Sequence, residues 1–458
     1  GIRVDGHSFI PQVLKAGVRV LVTERPVEEE LKNSGLSEEE LKQVTVVMVE
    51  EGRHALALLS AARFDHPAKK LVMIGVTGTK GKTTTTHMIR AILQAAGKKV
   101  GMIGTTGTVI GDVVTPTLNT TPESYELHQA FAQMVEAGCE YAVMEVSSQG
   151  IKMHRTDGLY FNYAIFTNIS PDHIGPGEHA DFEEYLYYKT RLLNMCGIGL
   201  VNKDDKHAPQ IIKAANCELY TYSEESKEAD FVASDIRYVS QPDFVGTEFH
   251  ISGKYDMEVR LGIPGLFNVV NALAAVSVCS FLGLDQARIS HALENIRVNG
   301  RMEIVYTSER CTVLVDYAHN AVSMESLLST LRDYKPKRLV CVFGCGGNRS
   351  KDRRYSMGEI GGKMADLSII TADNSRYEKV EDIIADIRGS IEKTGGKFIE
   401  IPDRREAIRY SILHAQPGDM VAVIGKGHED YQEINGVRHH FLDREVIEET
   451  VKELGEKA

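Results

Sequence analysis

The chain has 458 residues, of which 43% are hydrophobic and 25% are charged, and its formal net charge is −12 at pH 7. This balance is typical of a folded globular protein and argues against a disordered chain. An acidic chain is also a poor match for a surface that coats nucleic acid, so an anionic ligand here needs a local binding device.

No apolar run approaches the ~20 residues that span a bilayer, and no signal peptide pattern opens the chain. The chain begins with Gly1 rather than Met, and we expect its natural start to lie upstream. The seven cysteines are odd in number and most lie in apolar segments, so we expect reduced core thiols in a cytosolic protein. Cys341 and Cys345 are four residues apart, but no second pair completes a zinc site.

The predicted elements form three blocks along the chain. Residues 1–69 are a short mixed segment with a strand near 18–22. From residue 70 strands alternate with helices, which indicates a parallel sheet, and the alternation restarts after a turn near 299–301. The central block has predicted strands at 71–76, 100–103, 141–146, 164–169 and 199–202, helices at 83–96, 122–137, 181–195 and 267–282, and a β-meander at 231–262. The last block has predicted strands at 313–315, 339–343, 367–371 and 420–424, and helices near 320–333, 379–393, 404–415 and 443–454.

A glycine-rich turn over residues 75–84 follows an apolar strand and opens a helix. Glycines let backbone N–H groups curl around phosphate oxygens, and the helix N-terminus adds partial positive charge. Lys82 would reach the β- and γ-phosphates, and the Thr83 hydroxyl would bind Mg²⁺. The strict G-x4-G-K-[ST] spacing is not met, because Val76 stands where the first glycine belongs. We predict nucleotide binding, with a purely structural turn as the alternative.

Three further residues have the chemistry of a metal site. Glu145 ends a predicted strand and is a candidate Mg²⁺ ligand, with a water-exposed carboxylate as the alternative. His173 follows the carboxyl end of another strand, which favours a role in the site, with an ordinary surface histidine as the alternative. Asp181 and Glu184 form a capping signature for a helix, and helical spacing places Lys189 on its apolar face. Lys189 either packs its stem and extends its ammonium to water or is a desolvated, easily deprotonated amine, which can react with CO₂ to form a carbamate.

Residues 78–83, with the sequence GTKGKT, resemble the ATP loop of the Mur ligases and the related folylpolyglutamate synthetases. The resemblance covers nearly the whole chain and is closest to the Mur ligases that add the third residue of the muramyl peptide. It is carried by these motifs: DGHSFI at 5–10, NTTPE at 119–123, EVSSQ at 145–149, HR at 154–155, FNVVNALAA at 267–275, NGRME at 299–303, DYAH at 316–319, FGCGG at 343–347 and, most specific of all, GKGHEDYQ at 425–432.

The resemblance implies an α/β protein with three-domain Mur ligase architecture. The implied domains are an N-terminal UDP-binding domain over 1–69 that is truncated at its start, a central P-loop ATPase domain with a parallel sheet over 70–298, and a C-terminal Rossmann-like domain over 299–458 that binds the amino acid. The implied cofactors are ATP, two Mg²⁺ ions and a CO₂-derived carbamate on Lys189 that helps to hold the second Mg²⁺. We expect a cytoplasmic bacterial monomer that binds neither nucleic acid nor membrane.

The resemblance also implies roles for individual residues. ATP would be bound by Gly78, Thr79, Lys80, Gly81, Lys82, Thr83, Thr84, Asn268, Asn271, Arg301 and Asp316. Metal ions would be held by Thr83, Glu145, His173 and carbamylated Lys189, and catalysis would rest on Lys82, Glu145, His173 and Lys189. The UDP-muramyl-dipeptide would be held by Thr120, Thr121, Ser148 and Arg155. The incoming amino acid would be read by Arg349, Asp373, Asn374, Arg376, Gly425 and Glu429. Helix capping is the alternative for Asn268, Asn271 and Asp316.

The implied reaction is ATP-dependent amide formation through an acyl phosphate, which extends UDP-N-acetylmuramoyl-L-Ala-D-Glu. The planar fork of Arg376 suits the second carboxylate of meso-diaminopimelate and would repel the ammonium of L-lysine. We therefore expect diaminopimelate, with L-lysine or another diamino acid second. The alternatives are a polyglutamate-forming ligase and a P-loop switch that does not ligate.

Three departures from the family pattern leave room for a divergent paralogue. Ser375 stands where the diaminopimelate pattern has Pro, Asn348 stands where an Asp is usual, and residues 174–179 replace the usual Leu-Asp-x-His.

Overall fold

The computed structural model describes residues 5–455. The chain forms two compact units: residues up to 222 together with 277–279 make unit one, and residues 223–276 and 280–458 make unit two. Within the described residues, no helix has the length and apolar character needed to cross a membrane. The domain boundaries predicted after residues 69 and 298 stay predictions.

Unit one begins with a small layer in which two strands pair in parallel, with Val20 opposite Thr45. Its own apolar cluster contains Ile10, Leu14 and Leu21. The elements of this layer are α1 (Ile10–Lys15), β1 (Val20–Thr23), α2 (Glu28–Lys32), α3 (Glu38–Leu41), β2 (Thr45–Met48) and α4 (Gly52–Arg63).

The rest of unit one confirms the predicted alternation of strands and helices. Its elements are β3 (Val72–Thr77), α5 (Lys82–Ala95), β4 (Val100–Gly104), β5 (Gly107–Ile110), β6 (Val113–Thr115), α6 (Ser124–Glu136), β7 (Tyr141–Glu145), α7 (Ser148–Lys152), β8 (Phe161–Phe166), α8 (Phe182–Thr190), β9 (Cys196–Asn202), α9 (Ala208–Ala214) and β10 (Glu218–Ser223). The strands lie in the order β10-β9-β8-β3-β7-β4-β5-β6. All neighbours from β10 to β4 run parallel, whereas β5 and β6 are antiparallel additions that were not predicted.

The central strand β3 is buried on both faces, as expected for a parallel sheet covered by helices. Met73, Ile74 and Val76 are fully buried, and burying each such side chain stabilises the fold by roughly 1.5–3 kcal/mol. Because β3, β7 and β8 run parallel, the residues that follow them meet at one edge of the sheet, where ligands of such folds bind.

Unit two contains the predicted β-meander and the predicted second α/β domain. Its elements are β11 (Phe231–Gln241), β12 (Phe244–Gly253), β13 (Met257–Leu261), α10 (Leu266–Phe281), α11 (Gln286–Glu294), β14 (Glu303–Thr307), β15 (Cys311–Asp316), α12 (Ala321–Asp333), β16 (Arg338–Phe343), α13 (Lys351–Met364), β17 (Leu367–Ile370), α14 (Val380–Thr394), β18 (Phe398–Glu400), α15 (Arg404–Leu413), β19 (Asp419–Ile424), β20 (Tyr431–Ile434), β21 (Val437–His440) and α16 (Asp443–Glu453). Strands β14-β15-β19-β16-β17-β18 form one sheet that is parallel except for β14.

Several described elements were not predicted, and for helix α13 the physical reason is identifiable. Helix α13 was not predicted, because Gly358, Gly361 and Gly362 each lower helix propensity by about 1 kcal/mol. The glycines let α14 approach, since a Cβ at Gly358 would lie 2.6 Å from the Ile387 carbonyl oxygen. The strand predicted at 164–169 starts earlier, at Phe161, and ends at Phe166.

A buried ion pair joins α15 to the start of α16. The Arg404 guanidinium donates to the two Asp443 carboxylate oxygens at 2.7 Å each, and to the carbonyl oxygens of Ala372 and Ile424. Both charged side chains are fully buried. The Arg404 charge is compensated first by Asp443 and these hydrogen bonds, and the charges of Asp373 and Glu429 add to this effect.

We predict that Asp443→Ala destabilises the fold by about 3–5 kcal/mol, because it leaves a buried guanidinium without its paired carboxylate. Urea unfolding followed by circular dichroism measures this change. The matched control is Glu449→Ala, which removes the exposed partner of Arg405 and should have little effect. Equal shifts in the two variants would contradict the prediction.

Candidate active site

The glycine-rich turn connects β3 to α5, as predicted for a phosphate-binding loop. Gly78 and Gly81 have φ values of +145° and +86°, which glycine adopts readily. A Cβ at Gly78 would lie 1.9 Å from Thr167 Oγ1, so only glycine is tolerated there. The backbone N–H of Lys80 donates to Asn168 Oδ1, and that of Thr79 to the Asn168 carbonyl oxygen. The residues after β8 thus hold the loop open toward the N-terminus of α5.

Two lysine amines meet at one carbonyl oxygen of this loop. The Gly78 carbonyl accepts from Lys82 Nζ at 2.9 Å and from Lys189 Nζ at 2.7 Å. Lys189 is 2% exposed, and its Nζ lies 4.7 Å from the centre of the Tyr185 ring. Burial, reinforced by the charge of Lys82, holds the pKa of Lys189 well below its usual range. Of the two alternatives, the structure favours the desolvated amine over a side chain that extends to water.

The helix that carries Lys189 begins as its sequence predicts. Asp181 Oδ1 accepts from the Glu184 backbone N–H at 2.8 Å, and Glu184 Oε2 accepts from the Ala180 N–H. The helix ends at Thr190 and continues as a short 3₁₀ turn over Arg191–Asn194, rather than as one helix to residue 195.

Glu145 lies at the end of β7 with its carboxylate pointed at the phosphate loop. Its Oε1 accepts from Thr83 Oγ1 and from the Thr105 N–H, each at 2.9 Å. Glu145 is 1% exposed, so the alternative of a carboxylate facing water is wrong. A hydroxyl and a carboxylate in contact beside a phosphate loop are the hard oxygen donors that Mg²⁺ prefers, and these two side chains fit that ion.

His173 lies on the exposed loop between β8 and α8. Its side chain is 53% exposed, and its Nδ1 lies 3.2 Å from Glu178 Oε1. The ring centre is 6.2 Å from that of Tyr185, the residue that also contacts Lys189. His173 thus lies at the rim of the site, bound to a carboxylate of its own loop, and its role as a metal ligand stays a prediction.

The four residues predicted to hold the dipeptide surround Glu145. Thr121 Oγ1 donates to the Glu145 carbonyl oxygen at 3.0 Å, and Arg155 donates to the Thr121 carbonyl oxygen. Thr120 Oγ1 lies 3.2 Å from Thr105 Oγ1, whose hydroxyl also donates to Glu145. Ser148 begins α7, directly after β7. Hydrogen bonds therefore join Thr83, Glu145, Thr120, Thr121 and Arg155 into one polar cluster, which Ser148 adjoins.

His179 contacts Ser148 beside this cluster, and the sequence did not single it out. It is fully buried, and its Nε2 lies 2.9 Å from Ser148 Oγ. Burial, with Lys152 nearby, lowers the pKa of His179, so the neutral ring orients the Ser148 hydroxyl. His179 follows Gly175-Pro176-Gly177, in the segment that departs from the family pattern, and no local sequence signal marks it.

The nucleotide residues predicted in unit two form a second cluster. Asn271 Nδ2 donates to Asn268 Oδ1, and Asn268 Nδ2 donates to the Pro264 carbonyl oxygen at 2.7 Å. Asp316 accepts from the backbone N–H groups of Met302 and Ala318. The alternative that Asp316 caps α12 is wrong, because Asn320 caps that helix. Burial raises the pKa of Asp316 against the effect of these hydrogen bonds.

Arg301 lies beside the predicted amino-acid residues. Its guanidinium lies 4.8 Å from the centre of the Tyr317 ring, and the Tyr317 hydroxyl lies 3.5 Å from Glu429 Oε1. Asn374 Nδ2 donates to Glu429 Oε2 at 2.9 Å. The buried Lys426, which the sequence did not single out, lies 3.3 Å from the same oxygen. Asn374 and Lys426 therefore fix the position of the Glu429 carboxylate.

Arg376, which is predicted to bind the second carboxylate of the amino acid, lies beside Gly346 and Gly347. Its Nη1 donates to the Gly347 carbonyl oxygen at 2.8 Å, and its backbone has a φ of +52°. The side chain keeps 22% exposure, with Glu433 3.6 Å away. Arg349 is exposed, and a Cβ at Gly425 would lie 2.8 Å from Asp373 Oδ2. The amino-acid residues are thus brought to one place within unit two.

Comparison with known proteins matches two family models to the chain. Residues 76–279 match the family model of the Mur ligase middle domain. Residues 300–427 match that of the Mur ligase glutamate ligase domain. The chain is 39% identical to the UDP-N-acetylmuramoyl-L-alanyl-D-glutamate–2,6-diaminopimelate ligase of Caldanaerobacter subterraneus subsp. tengcongensis, over 99% of this chain and 91% of that protein.

Solved structures agree with this result. A UDP-N-acetylmuramoyl-L-alanyl-D-glutamate–2,6-diaminopimelate ligase superposes with a TM-score of 0.74 and 30% identity, covering 98% of this chain and 90% of that one. A folylpolyglutamate synthase of Mycobacterium tuberculosis shares the fold, with a TM-score of 0.62 and 18% identity, covering 81% of this chain and 92% of that one. The expected α/β Mur ligase architecture is confirmed.

We predict that Gly78→Ala abolishes nucleotide binding, because a Cβ there collides with Thr167 Oγ1. Titration with a fluorescent ATP analogue measures the loss. Gly97→Ala is the control: Gly97 also has a positive φ of +77°, but its Cβ would meet nothing within 4 Å. Nucleotide affinity in Gly78→Ala equal to that of the control would show that the loop does not bind phosphate.

Proposed function

The chain belongs to the Mur ligase family, and from this premise we propose that it adds meso-diaminopimelate to UDP-N-acetylmuramoyl-L-Ala-D-Glu at the expense of ATP. The observation that carries the proposal is near-full-length identity of 36–39% to ligases named for this reaction. Nucleotide-linked substrates of this kind imply a cytoplasmic reaction in a bacterium, and we expect a monomer.

The phosphate loop and Lys82 perform the first step. The terminal carboxylate of the dipeptide attacks the γ-phosphate of ATP, giving an acyl phosphate and ADP. Lys82, at the N-terminus of α5, neutralises charge on the transferred phosphoryl group. When bound at Thr83 and Glu145, Mg²⁺ supplies further positive charge to the phosphate oxygens.

The residues around Glu145 hold the attacking carboxylate. In this proposal Arg155 and Ser148 bind the dipeptide, and the neutral His179 fixes the direction of the Ser148 hydroxyl. Positioning matters here, since a bound carboxylate close to the γ-phosphate reacts as if it were part of the same molecule.

The second step forms the amide. The amine of the incoming amino acid attacks the acyl carbon, a tetrahedral intermediate forms, and phosphate leaves. Glu429, anchored by Asn374 and Lys426, is placed to accept the ammonium group, and Arg376 to pair with the distal carboxylate. The acyl phosphate must meet this amine before water reaches it, so we propose that closure of the site precedes the second step.

Carbamylation of Lys189 is a further part of the proposal. A neutral amine attacks CO₂ to give an N-carboxylate and releases one proton. Lys189 is buried and beside Lys82, which favours the neutral form. The carbamate nitrogen keeps one N–H, so it can still donate to the Gly78 carbonyl oxygen while its new oxygens offer a hard ligand for the second Mg²⁺.

An amino-acid panel tests the function directly. With ATP and UDP-N-acetylmuramoyl-L-Ala-D-Glu, we predict a product with the mass of the diaminopimelate adduct and one phosphate released per product. L-Lysine should give little product, because its ammonium is repelled by Arg376. Phosphate release without any amino acid would favour a nucleotide switch, and equal use of L-lysine would contradict the substrate assignment.

We predict that Lys189→Ala loses turnover and that added bicarbonate does not restore it, since the variant has no amine to carbamylate. The coupled assay that follows ADP formation measures this. Lys213→Ala, which removes an exposed lysine of α9, is the control and should keep wild-type turnover. Retained turnover in Lys189→Ala would remove Lys189 from the mechanism.

We predict that Arg376→Ala raises the KM for diaminopimelate at least about tenfold, because hydrogen bonds to charged groups are worth ~1.5–3 kcal/mol. The KM for ATP should change little. Arg438→Ala, which removes an exposed arginine of β21, serves as the control. Equal increases in the KM for diaminopimelate and the KM for ATP would mean that the residues around Arg376 do not bind the amino acid.

A further inference from the structure

Three side chains that commonly bind metals lie together in unit one, away from the phosphate loop. They are His54, His154 and Asp157, and their ligand atoms all lie within 4.8 Å of one another. We refer to them as the His–Asp cluster. Nothing in the proposed ligation uses these three side chains.

The cluster is assembled from two distant parts of the sequence. His54 lies in the first turn of α4, whereas His154 and Asp157 follow α7. His154 has a φ of +56°, a conformation that costs a non-glycine residue free energy and is often found at functional sites. This backbone turn places His154 Nδ1 against the Asp157 carboxylate.

One carboxylate oxygen of Asp157 lies within hydrogen-bond distance of both imidazole rings. Asp157 Oδ2 lies 2.6 Å from His54 Nδ1 and 2.8 Å from His154 Nδ1. The ring centres are 6.3 Å apart with the rings edge to face, so both Nδ1 atoms point inward at the same oxygen. Two imidazole nitrogens and one carboxylate oxygen therefore converge.

The two imidazole nitrogens and one carboxylate oxygen favour one class of metal ion. Two imidazoles and one carboxylate suit Zn²⁺, Co²⁺ and Ni²⁺, whereas Mg²⁺ prefers oxygen donors alone. The same ligand types hold catalytic zinc with a water in the fourth position. The side chains of His54 and Asp157 are 51% and 20% exposed, so an ion and its water can reach them. In the metal-bound form each neutral ring carries its one proton on Nε2 and binds the ion through Nδ1, and the carboxylate moves outward to make room for the ion.

We propose that His54, His154 and Asp157 bind one divalent transition-metal ion, with water completing a tetrahedral site. The ion joins α4 to the turn that carries Arg155, the residue bonded to the Thr121 carbonyl oxygen. It thereby stiffens the support of the dipeptide residues without touching the reacting atoms. The proposal stands on the cluster alone and does not depend on the identity of the amino acid that is added.

The test uses the full chain without a histidine tag, stripped of metal and kept in excess Mg²⁺ to fill oxygen-only sites. Co²⁺ is titrated by visible absorption, and Zn²⁺ by calorimetry. We expect one equivalent to bind the wild type with the absorption of tetrahedral Co²⁺. His54→Ala and Asp157→Asn should each weaken binding at least about tenfold. The control is His440→Ala, which removes a single His–carboxylate pair with 2.8 Å between His440 Nε2 and Glu445 Oε2, and it should bind as the wild type does.

A thermal melt of each protein without metal separates lost binding from lost folding. We expect similar metal-free Tm values for the wild type and His54→Ala, and a rise in Tm with Zn²⁺ in the wild type alone. Zn²⁺ affinity in both cluster variants equal to that of the wild type would overturn the proposal. So would a wild type that binds no equivalent of either ion, and the cluster would then be only a hydrogen-bonded ion pair.

Discussion

The carbonyl oxygen of Gly78 accepts hydrogen bonds from both Lys82 and Lys189, and the chemistry of the phosphate loop follows from that constraint. Two positive charges at one buried acceptor repel each other strongly. Burial lowers the pKa of Lys189 well below its usual range, and the charge of Lys82 lowers it further. Lys189 is therefore an amine that can take another chemical form, beside the Lys82 amine at the start of α5.

This arrangement depends on the fold in a definite order. The buried strand β3 ends at the phosphate loop, and Gly78 is required there because Thr167 fills the space of a Cβ. The Asp181 cap fixes where α8 begins, and the helix then carries Lys189 to the loop. Glu145, at the end of the neighbouring strand β7, adds the carboxylate. The adjacent parallel strands therefore bring the loop, Thr167 and Glu145 to one sheet edge.

Much of this could be predicted from the sequence, because the signals are local. The apolar run before Gly75, the cap at Asp181 and the spacing that buries Lys189 depend on neighbouring residues, and the structure agrees with each. His179 and Lys426 could not be found this way, since their importance comes from Ser148 and Glu429, which are distant in sequence. Helix α13 was missed because its glycines serve packing against α14, which opposes local helix propensity.

The central claim is that Lys189 is neutral enough to bind CO₂, and ¹³C NMR in ¹³C-labelled bicarbonate tests it most directly. The account predicts a carbamate carbon resonance in the wild type that is missing in Lys189→Arg, because a guanidinium stays charged. Lys213→Ala should keep the resonance, since that exposed lysine lies outside the site. A wild type without the resonance at saturating bicarbonate, or an unchanged resonance in Lys189→Arg, would contradict the account.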